Sequence, residues 1–87
     1  MSHPLDIFHA VTLLGIYKKE HSESLEDVKL TLMETGMYPK EQADEVFAQL
    51  LEWGYITDAG LTFVGVAAAR QAEQEFIEAE KELPRAH

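Results

Sequence analysis

Length, composition and charge set the first limits on this chain. Its 87 residues suffice for one domain, and a chain this short buries only about 60–65% of the surface that its unfolded form exposes. A hydrophobic fraction of 46% is typical of a globular rather than a disordered protein. The absence of cysteine excludes a disulfide framework and any zinc site built on thiolates.

The charge of the chain is unfavourable for binding nucleic acid. The formal net charge is −9, and acidic residues outnumber basic ones in each of the segments 1–38, 39–63 and 64–87. Proteins that bind a phosphate backbone gain most of their affinity from Lys and Arg. The middle segment is the most acidic, with five acids and one base.

The apolar segments are too short for a membrane protein. The longest run near the start, residues 5–17, has thirteen residues and includes Asp6 and His9. No basic residue precedes Lys18, whereas a signal peptide begins with a basic region. We therefore predict a cytoplasmic protein without membrane association.

Helical spacing predicts a first helix over residues 5–17. Ile7, Val11 and Leu14 recur at helical intervals, and Pro4 suits the first turn. The apolar face is wider than one core-facing stripe requires. We expect this helix either to contact neighbours on two sides or to contact another chain.

Two further helices are predicted between residues 24 and 54. Ser24 and Asp27 match a capping box at the start of the second helix, and Gly36 is suited to end it. The third helix begins near Pro39 and ends at Gly54. Its apolar stripe consists of Ala43, Val46, Phe47, Leu50 and Leu51.

A small β-hairpin and a long last helix follow. The short runs YIT and GLTF are joined by Asp58-Ala59-Gly60, which favours a tight turn. Thr62 is expected to cap a helix that runs from about Phe63 to Leu83. Its predicted buried positions are Gly65, Ala68 or Ala69, Ala72, Phe76, Ala79 and Leu83. The prediction is one mainly α domain over residues 1–87, with frayed ends at 1–4 and 84–87.

Two stretches, FAQLLEWGYIT (47–57) and GLTFVGVAAAR (60–70), resemble the winged helix-turn-helix family. Members of that family often show a Leu-Leu-x-x-Gly-Tyr/Leu-Ile run, a wing, and then Leu-Thr-x-x-Gly at the start of a helix. The resemblance covers about residues 5–70. It implies a winged-helix-like fold with three helices, a short wing and a long C-terminal helix.

The resemblance also implies a binding face. In DNA-binding members the third helix enters the major groove and the wing contacts the backbone or minor groove. The corresponding residues here are Lys40, Glu41, Gln42, Asp44, Glu45 and Gln49 on the third helix and Asp58 in the wing. Because carboxylates facing phosphates lower affinity, we expect this face to bind a protein with a basic surface.

Three functions remain open from the sequence. The first is a non-enzymatic interaction or regulatory module that forms a homodimer through its first and last helices. The second is a dimeric DNA-binding transcriptional regulator, which would need Lys18, Lys19, Lys29 and Lys40 on one side. The third is an inhibitor of phage or mobile-element type that imitates nucleic acid. The expected oligomer contacts are Phe8, Leu13, Ala68, Ala72, Phe76, Ala79 and Leu83.

No residue pattern predicts catalysis or a cofactor. The histidines His3, His9, His21 and His87 are scattered along the chain, and no pair has the spacing of metal ligands. The acidic pairs in the sequence have no His or Lys placed as an acid–base partner. We expect no enzymatic activity, no metal site and no cofactor.

Overall fold

The computed structural model describes residues 5–20 and 22–82, with side chains described up to Glu78. Within these residues the chain forms α1 (Ile7–Lys18), α2 (Leu25–Glu34), α3 (Lys40–Glu52), β1 (Ile56–Thr57), β2 (Gly60–Leu61) and α4 (Phe63–Glu82). The predicted fold class, mainly α with a small hairpin, is confirmed. The ends expected to fray, 1–4 and 84–87, lie outside the described residues. Among the described helices, none is long and apolar enough to cross a membrane.

α1 begins later than predicted because Asp6 caps it. The Asp6 carboxylate accepts a hydrogen bond from the His9 N–H at 3.0 Å, and the Asp6 N–H donates to His9 Nδ1 at 3.2 Å. This is a capping box in which His replaces the usual Glu or Gln. The predicted start at residue 5 is therefore wrong, and Pro4 lies outside the described residues. α1 contacts α2, α3 and α4, which accounts for its wide apolar face.

α2 and α3 end in the same local structure. Gly36 and Gly54 have φ values of 83° and 82°, a region that glycine enters without a steric penalty. The amide of the residue after each glycine bonds back to a carbonyl five residues earlier, at 3.0 Å for Met37 and 2.9 Å for Tyr55. Both helices thus end in a Schellman motif. The predicted capping box at Ser24 is also present.

The core lies where the helices meet the hairpin. Its buried apolar residues are Leu13, Ile16, Val28, Tyr38, Ala43, Val46, Leu50, Tyr55, Ile56 and Ala69. Leu51, which the sequence placed in the buried stripe of α3, is instead 52% exposed. It lies about 100° around the helix from Leu50, which turns its side chain away from the core.

A buried hydrogen-bonded chain joins α1 to the segment before α3. The Tyr38 hydroxyl lies 2.7 Å from Thr12 Oγ1, which lies 2.7 Å from the Phe8 carbonyl oxygen. Because a carbonyl only accepts, Thr12 donates to Phe8 and Tyr38 donates to Thr12. Burial raises the pKa of the Tyr38 hydroxyl, since it disfavours the charged phenolate.

The hairpin, which we call the wing, is very short. Ile56 pairs with Leu61, and Thr57 pairs with Gly60. Strands of two residues are not stable alone, so the base of the hairpin must be fixed by its neighbours. There the Thr62 N–H donates to the Tyr55 carbonyl at 3.0 Å.

Thr62 and Gly65 join the wing to α4. The Thr62 hydroxyl accepts from the Gly65 N–H at 3.0 Å, which confirms the predicted cap, and donates to the Gly54 carbonyl at 2.6 Å. A Cβ at Gly65 would lie 1.9 Å from the Tyr55 carbonyl oxygen. Only glycine therefore allows α4 to approach the hairpin this closely.

Candidate functional site

The exposed side of α3 carries three carboxylates in a row, which we name the acidic ridge: Glu41, Glu45 and Glu52. Spacings of four and seven residues place them on one face of the helix. Glu41 and Glu45 belong to the predicted partner-binding set. Glu52 was not predicted, although its distance of seven residues from Glu45 is a helical repeat that marks the same face.

Asp44 is neutralised within the fold and does not belong to the acidic ridge. Lys29 reaches its carboxylate from α2, and Lys40 Nζ lies 2.8 Å from its Oδ2. These two lysines hold the pKa of the Asp44 carboxyl at about 2. The Lys29 ammonium also lies 5.8 Å from the centroid of the Phe47 ring, within cation–π range. Of the two residues predicted to contact a partner, Asp44 thus joins α3 to α2 through Lys29, and Lys40 pairs with Asp44 within α3.

Gln42 and Gln49 are half-buried beside the acidic ridge, three and four residues from Glu45. Gln49 Oε1 lies 2.7 Å from His9 Nε2 on α1, and Gln49 Nε2 lies 3.4 Å from a Glu45 oxygen. The remaining predicted residue, Asp58, is exposed at the turn of the wing. The structure therefore brings part of the predicted set onto one face and leaves the two glutamines half-buried.

A groove lies between α2, α3 and β1, with a volume of about 230 Å³. We name it the α2–α3–wing groove. Its apolar lining includes Leu25, Phe47, Leu51 and Ile56, and its acidic lining includes Glu26 and Asp58. The sequence did not predict this groove, because its walls come from three separate elements.

The four lysines that a DNA-binding surface would need lie in two places: Lys18 and Lys19 at the end of α1, and Lys29 and Lys40 beside Asp44. Lys18 pairs with Glu73 and joins α1 to α4, and this partner raises the pKa of Lys18. Lys29 and Lys40 share one carboxylate at the contact between α2 and α3. Each of these three ammonium groups therefore already has an acidic partner.

Two of the seven residues predicted to form an oligomer interface, Leu13 and Ala72, are buried in the fold itself. Leu13 has no exposed surface, so a second chain could not contact it while the domain is folded. Ala72 is also buried, and Phe8, Ala68 and Phe76 are half-buried. The side chain of Ala79 and the whole of Leu83 lie outside the described residues.

Exposed apolar surface is found instead at the start of α4. Phe63 is 93% exposed and Val64 is 56% exposed. Val64 also lines a groove of about 400 Å³ between α1 and α4, together with Leu5 and Ala67. The predicted buried positions of the last helix include neither Phe63 nor Val64, but the sequence pattern did not single them out as an exposed apolar surface.

The described residues hold no group of three acidic or histidine side chains that could bind a metal ion. The chain matches no protein-family model, and neither the curated proteins nor the solved structures contain a significant match. The order of its helices and hairpin is compatible with a winged-helix-like layout.

Proposed function

We propose that this chain is a small, non-enzymatic interaction module of the winged-helix type that binds a protein with a basic surface through α3 and the wing. The acidic ridge carries the proposal: its three carboxylates are exposed on the helix that DNA-binding members of that family place in the major groove. Carboxylates at this position repel the phosphates of nucleic acid, whereas they attract a cationic protein surface.

The ion pairs of the lysines give further support. Three of the four lysines that a DNA-binding role would use, Lys18, Lys29 and Lys40, would have to leave an acidic partner before contacting a phosphate. The gain from counterion release at the phosphates would then be reduced by the loss of these ion pairs. A protein partner that uses the acidic ridge leaves these pairs intact.

Reversing the acidic ridge tests the proposal. The variant Glu41→Lys, Glu45→Lys, Glu52→Lys changes exposed side chains only, and it leaves Asp44 in place because the contact between α2 and α3 needs that carboxylate. Proteins captured from a nuclease-treated lysate would be compared by quantitative mass spectrometry. We expect the variant to lose proteins that the wild type retains, with an unchanged circular dichroism spectrum. The matched control reverses three exposed acids elsewhere: Glu20, Glu34 and Glu78.

Binding of nucleic acid separates this proposal from the two alternative functions. Labelled random-sequence duplex DNA would be titrated with the wild type at low and moderate salt. Binding that weakens steeply with salt would favour the DNA-binding regulator. Release of a captured protein by added nucleic acid would favour the nucleic-acid mimic. Retention of the same proteins by the ridge variant would contradict a role for α3.

We also propose a homodimer, with the contact at the start of α4. A short domain has little core to stabilise it, and association would cover the apolar surface of Phe63 and Val64. The neighbouring groove between α1 and α4 gives a second copy an apolar surface to occupy.

A further inference from the structure

The α2–α3–wing groove is too small for a typical cofactor but suits a side chain. Its volume of about 230 Å³ lies below the range of roughly 300–1,000 Å³ found for small-molecule sites. Half-buried Phe47 supplies apolar surface within it, and Leu51 at its edge is 52% exposed. A partner side chain placed here would remove this apolar surface from water.

Acidic residues border this apolar surface. Glu26 on α2 and Asp58 at the wing turn both line the groove and are exposed. Among the described residues that line it, the one base is Lys29, whose ammonium is held by Asp44. The groove therefore presents an apolar centre with a negative edge, and the complementary ligand is apolar at its centre and positive on either side.

We propose that the α2–α3–wing groove binds a basic segment of the partner protein, in which one bulky apolar residue is flanked by Lys or Arg. The apolar residue contacts Leu51 and enters the groove, and its cationic neighbours lie near Glu26 and Asp58. This inference rests on the proposed function and names the class of ligand that the same face recognises. It assigns the hydrophobic contact to Leu51, a residue outside the acidic ridge.

A peptide selection tests this specificity directly. Random 12-residue peptides displayed on phage would be selected on the wild-type protein, and the recovered peptides measured by fluorescence polarisation. We expect a consensus with one bulky apolar residue and Lys or Arg within three positions of it. Leu51→Asp should weaken binding at least tenfold, whereas Leu30→Asp should change it less than twofold. Leu30 is a good control because it is 45% exposed on α2 and does not line the groove.

The Leu51 substitution separates the apolar contact from the charge. An added carboxylate would strengthen attraction to a basic peptide, so a loss of affinity must come from the apolar contact. Asp58→Lys should weaken binding at least fivefold, and Glu34→Lys, an exposed acid away from the groove, should not. Circular dichroism of each variant checks that the fold is retained.

The other outcomes overturn the inference in distinguishable ways. Basic peptides that depend on the acidic ridge but are indifferent to Leu51→Asp would reject the groove and leave the proposed function standing. Peptides without basic residues would reject the charge complementarity. Conversion of a dimer to a monomer by Leu51→Asp would mean that a second copy occupies the groove. Failure to recover any binding peptide would count against both the groove and the proposed function.

Discussion

Replacing Gly65 by alanine tests the closest approach between α4 and the wing. The added Cβ would lie 1.9 Å from the Tyr55 carbonyl oxygen and 3.2 Å from Leu61 Cδ2. Carbon and carbonyl oxygen in contact stay about 3.3 Å or more apart, so the two segments would have to separate by roughly 1.4 Å. Because the nearest atom belongs to the backbone, no side-chain rotation can relieve the overlap.

The cost of this separation can be estimated from the bonds at the base of the wing. The Tyr55 carbonyl accepts from the Thr62 N–H at 3.0 Å and lies 3.1 Å from the Thr62 hydroxyl. Losing one or both bonds costs about 1–3 kcal/mol, and the strained packing costs about 1–3 kcal/mol. The better helix propensity of alanine recovers about 1 kcal/mol of this loss in stability. We expect the free energy of unfolding to fall by about 1–5 kcal/mol, with Tm falling by roughly 4–8 °C for each kcal/mol.

Urea unfolding followed by circular dichroism, together with thermal scans, would measure this effect. Gly15→Ala is the matched control, since Gly15 is also helical and its added Cβ would lie 3.3 Å from a side-chain atom, Val28 Cγ1. That methyl group can move by a few tenths of an ångström, so we expect a change within about 1 kcal/mol. Wild-type stability in Gly65→Ala would refute the close approach of α4 to the wing.

Three further predictions concern the core, the ion pairs and the oligomer. Tyr38→Phe should lower the free energy of unfolding by about 1 kcal/mol in urea, because Thr12 loses its donor. The pKa of Tyr38 in the folded state is raised from 10.0, so the protonated hydroxyl stabilises the fold fully below pH 10, and this stabilisation is lost as the pH rises through the folded-state pKa. An equal loss of stability at alkaline pH in the wild type and in Tyr38→Phe would contradict this. The Asp44 carboxyl should titrate at about pH 2 by NMR, and Lys29→Met should move its pKa toward 3.8. Phe63→Ser should reduce the mass measured by light scattering from dimer to monomer, and an unchanged mass would argue against a dimer through α4.

The direction in which stability changes with pH at Asp44 follows from the lowered pKa of its carboxyl. The ion pairs of its carboxylate stabilise the folded state above the ordinary pKa of 3.8, and this contribution is lost as the pH falls through about 2. An Asp44 titration midpoint near 3.8 in the wild type would show that the two lysines do not hold it.

The ends of the helices were predictable because each depends on a few neighbouring residues. A hydroxyl such as that of Thr62 satisfies the free amides at a helix start, and a glycine such as Gly54 is required where φ becomes positive. The capping box of α1 was missed because its second partner is His9, which is unusual in that role. Interactions between residues close in sequence were therefore sufficient to predict the fold class.

The candidate site was less predictable because its properties depend on contacts between distant segments. Gln49 is turned inward by His9, a residue 40 positions away in the chain. Asp44 is neutralised partly by Lys29 on another helix, which the spacing within α3 cannot reveal. Helical periodicity marks a broad apolar stripe, but only the packed structure shows that the core covers Leu50 and leaves Leu51 at the edge of the stripe exposed. The partner-binding role of these residues stays a prediction.

The hydroxyl of Thr62 couples the motion of the wing to that of α4. It donates to the Gly54 carbonyl at the end of α3 and accepts from the Gly65 amide in the first turn of α4. Two-residue strands add little protection of their own, so the wing and this turn should open as one cooperative unit. In hydrogen exchange, the amides of Thr62 and Gly65 should therefore exchange at similar rates. A ligand seated against β1 should slow exchange at the start of α4 as well, although it does not contact that helix.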